Sequence, residues 1–408
     1  MEQQSVPASS AHEGPRLPAA EGHATGKVFE VDSWVDRLGT LLDRWPRQAL
    51  WLGNLETRLF DAEIEGIVVD RPIYVAGLAR SGSTILLEAL AQHPETVSHR
   101  YRDFPPVLTP ILWNRLLDRV PRRPPPASER AHQDGIKVTP ESPEAFEEVI
   151  WMAFFDDLHD PTTSDLLDDT TQRPAFERFY RDHIRKLLWL RGGRRYLSKG
   201  NYNVARLEYL LKLFPDARML VPVRDPLWHV ASMVKQHALF CTGENQESRA
   251  RRHLERSGHF EFGFGRRPIN AGDPATGRRI MQLWADGCEI EGWARYWNHI
   301  YRFLADRMEN NKRLRAATLI VRYEELCQTP QETLSRISAH CGLDVGEAEL
   351  NRLAREFKHP TYYEPRFTAS EREVIARSTG NTAARFGYEA KILADRDQPG
   401  KRGQAASS

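Results

Sequence analysis

Gly77, Gly82 and Thr84 occupy three places of a GxxxxGK(S/T) phosphate loop, and Ser83 stands where that pattern has its lysine. The lysine of such a loop reaches the β- and γ-phosphates of a nucleoside triphosphate, and the hydroxyl after it holds Mg²⁺. A loop that keeps the glycine spacing and loses the lysine describes a phosphate cradle that does not hydrolyse triphosphate. Arg80, inside the loop, offers a cation from a different place. The backbone N–H groups of Ser81, Gly82, Ser83 and Thr84 fall where a strand gives way to a helix, and a helix N-terminus favours anions.

A second constellation lies in Val221-Pro-Val-Arg-Asp-Pro-Leu-Trp-His-Val-Ala-Ser232. A strand ends at Arg224, Pro226 takes the first helical position, and Ser232 falls about two turns along. An arginine at a strand's C-terminal edge and a serine on the next helix can grip one phosphate between them. Alone, the pair reads as a surface arginine facing Asp225 and a solvated serine. Its place downstream of a lysine-free phosphate loop turns it toward a second anion site.

RSGST after a strand, then VRDP with a serine eight residues past its arginine, resembles the sulfotransferases that use 3′-phosphoadenosine 5′-phosphosulfate (PAPS). The resemblance includes Leu197-Ser-Lys199, Leu213-Phe-Pro-Asp-Ala217 and Val321-Arg-Tyr-Glu-Glu-Leu326, and covers roughly residues 70–330. It is closest to the bacterial small-molecule type, with loop features like the tyrosylprotein sulfotransferases, which also carry arginine in the loop. The resemblance implies that Arg80, Ser81, Gly82, Ser83 and Thr84 hold the 5′-phosphosulfate, and that Arg224 and Ser232 hold the 3′-phosphate. PAPS has no γ-phosphate and the family needs no metal, which accounts for the missing lysine. The implied reaction moves a sulfuryl group by in-line displacement to a hydroxyl (or amine) of a small-molecule or glycan acceptor, with PAP leaving. Such a site must neutralise charge on the bridging oxygen and deprotonate the acceptor.

Lys199 matches the family's lysine that assists the transferring group. Asn201 stands two residues later, where many cytosolic sulfotransferases carry their catalytic histidine, so the base must come from elsewhere. In the tyrosylprotein branch a glutamate shortly after a His-Pro pair does this work. Here His93-Pro94 is followed by His99-Arg-Tyr-Arg-Asp103, which makes Asp103 the first candidate base and His99 the next. Glu144, Glu147 and Glu148, with His132 and Glu141 before them, are further candidates, although a helical glutamate pair is more often a solvated face. Arg266-Arg267 offers a third contact to the 3′-phosphate by analogy, or a solvated basic loop. Two rivals stay open: a nucleotide or nucleoside kinase, for which the loop lysine and an acidic Mg²⁺-binding strand end are out of place, and a PAP-binding protein without catalysis.

These residues need a frame of strands and helices to position them. Pro72 to Ala79 reads as a strand and Ser83 to Gln92 as the helix leaving the loop. Short strands are expected at 195–198, 218–223 and 318–323, alternating with helices at 176–190, 204–214, from 225 onward, 288–307 and 330–341. That alternation predicts an α/β fold of the P-loop type, three layers with a parallel central sheet and extra helices at the N-terminus and over the acceptor site. Helical spacing over 31–64 is interrupted by Pro46, which predicts a kink or split. A further helix is expected from 142 to 155. Residues 120–135, with Pro124-Pro-Pro126, read as a surface loop, and 241–283, rich in Gly, Arg and Pro, as a lid or insertion. Trp293, Trp297 and Tyr301 make one helical stripe, read as core packing. Residues 1–27 and 395–408 read as disordered tails around a single domain over 28–394.

Composition bounds the partners. The 408-residue chain is 40% hydrophobic, enough for a large core. Its 57 basic and 56 acidic residues leave a net charge of +1, so no global field points to nucleic acid or a membrane. Only ten of the basic residues are lysines, so arginine clusters carry weight only on motifs. Cys241, Cys288, Cys327 and Cys341 show no metal-type spacing, as expected of reduced thiols in a cytoplasmic protein. The longest apolar run, 149–155, is far short of the roughly 20 residues of a membrane span. No metal and no nucleic acid are expected. Oligomeric state and the identity of the acceptor are not encoded in any legible pattern.

Overall fold

The computed structural model describes residues 29–120, 126–160, 162–357 and 365–388. The expected tails, 1–27 and 395–408, lie outside the described residues. Five strands form one parallel sheet: β1 (Ile73–Val75), β2 (Thr96–Val97), β5 (Arg195–Lys199), β6 (Arg218–Val223) and β7 (Thr318–Arg322), in the order β2-β5-β1-β6-β7. A separate antiparallel hairpin pairs β3 (Ser128–Glu129) with β4 (Lys137–Val138). β1 sits at the centre with β5 on one side and β6 on the other. The chain reverses direction across the sheet at β1, the kind of switch point where open α/β sheets bind ligands beyond the carboxyl ends of their strands.

Parallel strands buried on both faces should be almost continuously apolar, and Ile73-Tyr-Val75 and Met219-Leu-Val-Pro-Val223 are. Successive side chains alternate faces. Tyr74, Met219 and Val221 join a large aromatic core, while Ile73, Val75, Leu197 and Leu220 join a second, aliphatic one. The aromatic core is closed by the helices Pro174–Arg191, Pro226–Gln246 and Glu289–Asn310, and the aliphatic one by Ser83–Ala91 and Pro330–Cys341. This is the expected three-layer arrangement with a parallel central sheet. Trp293, Trp297 and Tyr301 are buried in the aromatic core, as their spacing predicts.

The N-terminal helical segment splits where Pro46 predicts, into Ser33–Arg44 and Pro46–Leu59, with the proline at the first position of the second helix. Lys186 of the helix Pro174–Arg191 fastens that second helix: its ammonium lies 2.9 Å from Glu56, both side chains almost fully buried, and donates to the Gly53 carbonyl at 3.2 Å. Burial pushes the Glu56 carboxyl up and the Lys186 ammonium down, and each opposes the other's shift by its charge.

Two expectations are corrected. The stretch 120–135, expected as a surface loop, contributes β3 and the turn after it (121–125 lying outside the described residues), and Arg130 there is buried. The expected helix 142–155 is only Glu147–Met152. The stretch 241–283, expected as a lid or insertion, is built from the end of the helix Pro226–Gln246 and two further helices, Ala250–Arg256 and Pro274–Ala285. Proline and arginine density hid these elements, because their order comes from long-range partners.

Removing one partner of a buried ion pair leaves the other charge uncompensated, at a cost of about 3–5 kcal/mol. Lys186→Met should lower unfolding stability by that amount. The double variant Glu56→Gln/Lys186→Met should recover much of the loss in urea unfolding, and equal losses would rule out coupling between them.

Candidate functional site

The register of the sheet builds the site. Val75 pairs with Lys199 of β5 and Leu220 of β6, and the Gly200 N–H donates to the Val75 carbonyl at 3.0 Å. The strands therefore end side by side, and the turns after β1, β5 and β6 share one edge. Residues 76–82 loop over that edge into the helix Ser83–Ala91, whose N-cap is Gly82 at φ 102° with no side-chain cap. The loop has no room to spare. A Cβ at Gly82 would lie 2.6 Å from the Tyr323 ring, and one at Gly77 3.0 Å from the Pro222 carbonyl. Arg80 itself adopts φ 73°, a left-handed conformation that costs a non-glycine residue about 1–2 kcal/mol. Ser81 and Ser83 are buried within the turn.

The structure brings Arg80, Arg224 and Ser232 together. Arg80 Nε donates to Ser232 Oγ at 3.3 Å, and Arg224 Nη1 donates to the Arg80 carbonyl at 3.3 Å. Arg224 and Ser232 thus meet at Arg80 rather than at each other. Arg224 is buried and its guanidinium lies over the Tyr323 ring, 4.6 Å from the centroid. Asp225 caps the helix Pro226–Gln246 by accepting from the Leu227 N–H at 2.9 Å, so the start of the helix carrying Ser232 is pinned. Lys199 faces this group from the end of β5. Burial pushes its ammonium pKa down, against the charges of Glu144 and Glu261, while Arg130 and Arg80 add to the lowering.

Arg130 and Asp134, from the β3–β4 turn, complete the arrangement, and no motif announced them. Asp134 accepts from Arg80 Nη1 at 2.8 Å and from Arg130 Nη2 at 2.5 Å and Nε at 3.0 Å. Arg130 Nη1 also donates to Thr84 Oγ1 at 3.3 Å. Burial alone would raise the Asp134 carboxyl, but the hydrogen bonds and charge of Arg130, then the charge of Arg80, hold it well below the usual range. The phosphate loop thus carries an anion of its own, a carboxylate seated on two arginines. A Pro-rich stretch with one Arg-x-x-x-Asp spacing was the only available signal.

The candidate bases fare differently. Asp103 accepts from Arg191 on both oxygens at 2.7 Å, from Asn114 Nδ2 at 2.9 Å and from the Arg100 N–H at 2.8 Å. Three donors saturate it with four contacts, so the expectation that it deprotonates an acceptor is corrected: Asp103 fastens its 3₁₀ turn to the helix Pro174–Arg191. His99 is buried with Nε2 3.0 Å from His183 Nε2, and burial pushes its pKa down to about 4. Glu147 accepts from Trp151 at 2.9 Å and Tyr196 at 2.8 Å, and Glu148 from Arg206 at 2.7 and 2.8 Å and lies 2.6 Å from His159 Nε2. Both glutamates are inward-facing anchors. Glu141 pairs with Arg100 and Arg102 at the surface, and His132 packs edge-on to Phe240. Arg266 pairs with Glu289 and lies over Trp284, and Arg267 donates to the His159 carbonyl at 2.5 Å, so neither is brought to the loop. Glu144 stays near Lys199. Burial pushes its carboxyl up, but the charges of His259 and Lys199 bring it below the ordinary value.

Among the described residues, no group of His, Cys, Asp or Glu side chains could hold a metal ion, and no helix is long and apolar enough to cross a membrane. Asp134→Asn should weaken the clamp on Arg80 and Arg130 and lower stability by about 3–5 kcal/mol. A lowered folded-state pKa gives stability that is present above the ordinary value of 3.8 and lost only as pH falls through the lower folded value. The wild-type advantage should therefore persist from neutral pH into mild acid. Pyrophosphate should raise the melting temperature of Asp134→Asn more than that of wild type, and an equal rise would show that Asp134 does not occupy the anion site.

No curated protein matches the chain. Among solved structures, the sulfotransferase STF9 from Mycobacterium avium is 18% identical with a TM-score of 0.50, covering 88% of this chain and 93% of its own. The sulfotransferase STF1 from Mycobacterium tuberculosis H37Rv is 15% identical with a TM-score of 0.46, over 85% and 86% of the two chains. The first of these shares the fold. Residues 72–259, which contain the phosphate loop, Lys199, Arg224 and Ser232, match the sequence model of the sulfotransferase family, and the resemblance carried by those motifs is an identification of that segment with the family.

Proposed function

We propose that this protein transfers a sulfuryl group from PAPS to a hydroxyl, or less readily an amine, of a small-molecule or glycan acceptor. The observation that carries the proposal is the convergence of Arg80, Arg224 and Ser232 on a lysine-free phosphate loop, with Lys199 in register across the same sheet edge. The fit of the site to such a co-substrate rests on two features. Gly77 and Gly82 let the loop pack tightly against Pro222 and Tyr323, which holds the turn leading into a helix N-terminus, and Asp134 places a carboxylate against both Arg80 and Arg130.

In this reading the loop N–H groups of Ser81 to Thr84 and the Arg80 guanidinium bind the 5′-phosphosulfate, and Arg224 with Ser232 binds the 3′-phosphate. PAPS supplies an activated sulfuryl group whose bond to the phosphate oxygen breaks as the acceptor oxygen attacks from the opposite side. Lys199 neutralises the charge that builds on that leaving oxygen. Its lowered pKa eases proton donation there. Burial of Lys199 and Arg224 strengthens their interactions by excluding water.

Differential thermal stabilisation tests the donor. PAP should stabilise the protein and ATP–Mg²⁺ should not, and the reverse result would overturn the reading in favour of a kinase. Turnover of PAPS with a panel of phenols, alcohols and sugars should then follow, whereas PAP binding without turnover would indicate a binding protein. Arg224→Ala removes a charge-assisted contact worth about 1.5–3 kcal/mol. It should weaken PAP binding roughly 10- to 100-fold while changing the affinity for adenosine 5′-phosphosulfate, which lacks the 3′-phosphate, far less. Equal losses for both ligands would show that Arg224 does not read that phosphate.

A further inference from the structure

Asn201 occupies the place where the resemblance implies a histidine, and the fold brings a histidine from another segment to the cavity that Asn201 lines. One cavity is lined by Lys199, Gly200 and Asn201 from the end of β5 and by Gly258, His259 and Glu261 from the stretch after the helix Ala250–Arg256. The backbone there is fixed on both sides of His259. Gly258, at φ 80°, ends the helix in a left-handed turn, with the Gly258 N–H donating to Glu255 O at 3.2 Å and the His259 N–H to Leu254 O at 2.9 Å. The next N–H, of Phe260, donates to Tyr202 Oη at 2.8 Å. A Cβ at Gly258 would lie 2.6 Å from Glu148 Cβ, so the turn is pressed against the helix Glu147–Met152.

The side chains form a relay. Asn201 Nδ2 donates to Glu261 Oε1 at 2.5 Å, and the other oxygen, Oε2, lies 3.5 Å from His259 Nδ1. A carboxylate beside Nδ1 selects the tautomer with its proton there, which leaves the Nε2 lone pair to accept one. We infer that His259 is the general base of the proposed reaction, oriented by Glu261 and, through it, by Asn201. This rests on the sulfuryl-transfer reading and names the residue that takes the acceptor proton. As the acceptor oxygen bonds to sulfur, its proton passes to His259 Nε2. The bond between sulfur and the phosphate oxygen breaks, and its electron pair leaves with PAP.

The groups facing His259 come from several elements: Glu261 beside it, Glu144, Lys199 on β5, His253 on the preceding helix and His132 of the hairpin turn. Burial pushes the imidazole pKa down, but the hydrogen bond and charge of Glu261, with Glu144, bring it above the ordinary 6.5 against the opposing charge of Lys199. Glu261 stays ionised, at about 2, because His259, Lys199 and Asn201 outweigh the effect of its burial. A base of this kind works when neutral, so kcat/KM should fall toward acid with a midpoint above 6.5.

The test uses the full chain with PAPS, simple phenols and alcohols, and a nitrophenol already ionised at the assay pH. General-base catalysis contributes about 10²–10⁴-fold. His259→Gln should lose that factor with neutral hydroxyl acceptors, lose less than about tenfold with the nitrophenolate, which needs no base, and keep the wild-type stabilisation by PAP. Glu261→Gln should move the acidic limb of the pH profile downward, because the carboxylate that raises the His259 pKa is gone. A His259→Gln variant that turns over neutral hydroxyls at the wild-type rate, or loses both acceptor types equally, overturns the assignment. So does an acidic limb that Glu261→Gln leaves in place, a readout independent of whether the histidine variant folds. A wild-type protein that binds PAP and turns over no acceptor removes the sulfuryl-transfer reading itself, a distinct outcome from an active enzyme indifferent to His259.

Discussion

Two arginines cannot be buried against a phosphate loop without an anion between them, and Asp134 supplies it. Arg80 and Arg130 both donate to this one carboxylate, and the Arg130 side chain is almost fully shielded from water. An isolated charge in such a place is strongly unfavourable, whereas a hydrogen-bonded pair is tolerated. The pairing ties the β3–β4 hairpin to the loop, and through Arg80 it reaches Ser232 and the helix Pro226–Gln246. The same electrostatics that stabilise the chain hold both cations on one carboxylate beside the loop.

The sheet sets the rest. Because β1, β5 and β6 are parallel and in register, their turns end at one edge, and Lys199 and Arg224 approach the loop from opposite sides. The sheet thus supplies cations around a loop that lacks its own lysine. Arg80 offers a cation from inside the turn at the cost of a left-handed backbone, and the neighbouring strands bring others. Strain at this one residue is maintained because Ser232, Asp134 and Arg224 all engage it.

Much of this frame was legible in the sequence. The apolar runs of β1 and β6, the glycine spacing, Pro226 after Asp225 and the break at Pro46 all act through local chemistry, and a local pattern reveals them. Arg130 and Asp134 were hidden because nothing in a proline-rich stretch distinguishes a buried arginine from a solvated one. Only the partners at Thr84 and Arg80, some fifty residues away, decide that. Asp103 failed for the same reason in reverse. Its distance from His93-Pro94 suggested chemistry, but Arg191, distant in sequence, occupies both its oxygens.

The histidine question follows the same logic. At the end of β5 the sequence shows Asn201, a residue with no useful basicity, and by itself that looks like the loss of a catalytic group. Its amide instead holds Glu261, a carboxylate facing the His259 imidazole across the same cavity. An asparagine at that position leaves room for an imidazole to approach from the segment after the helix Ala250–Arg256. A second histidine there would put two like groups against Lys199 and depress the pKa of both. The substitution that appears to remove the base from one element is thus the one that lets another element carry it.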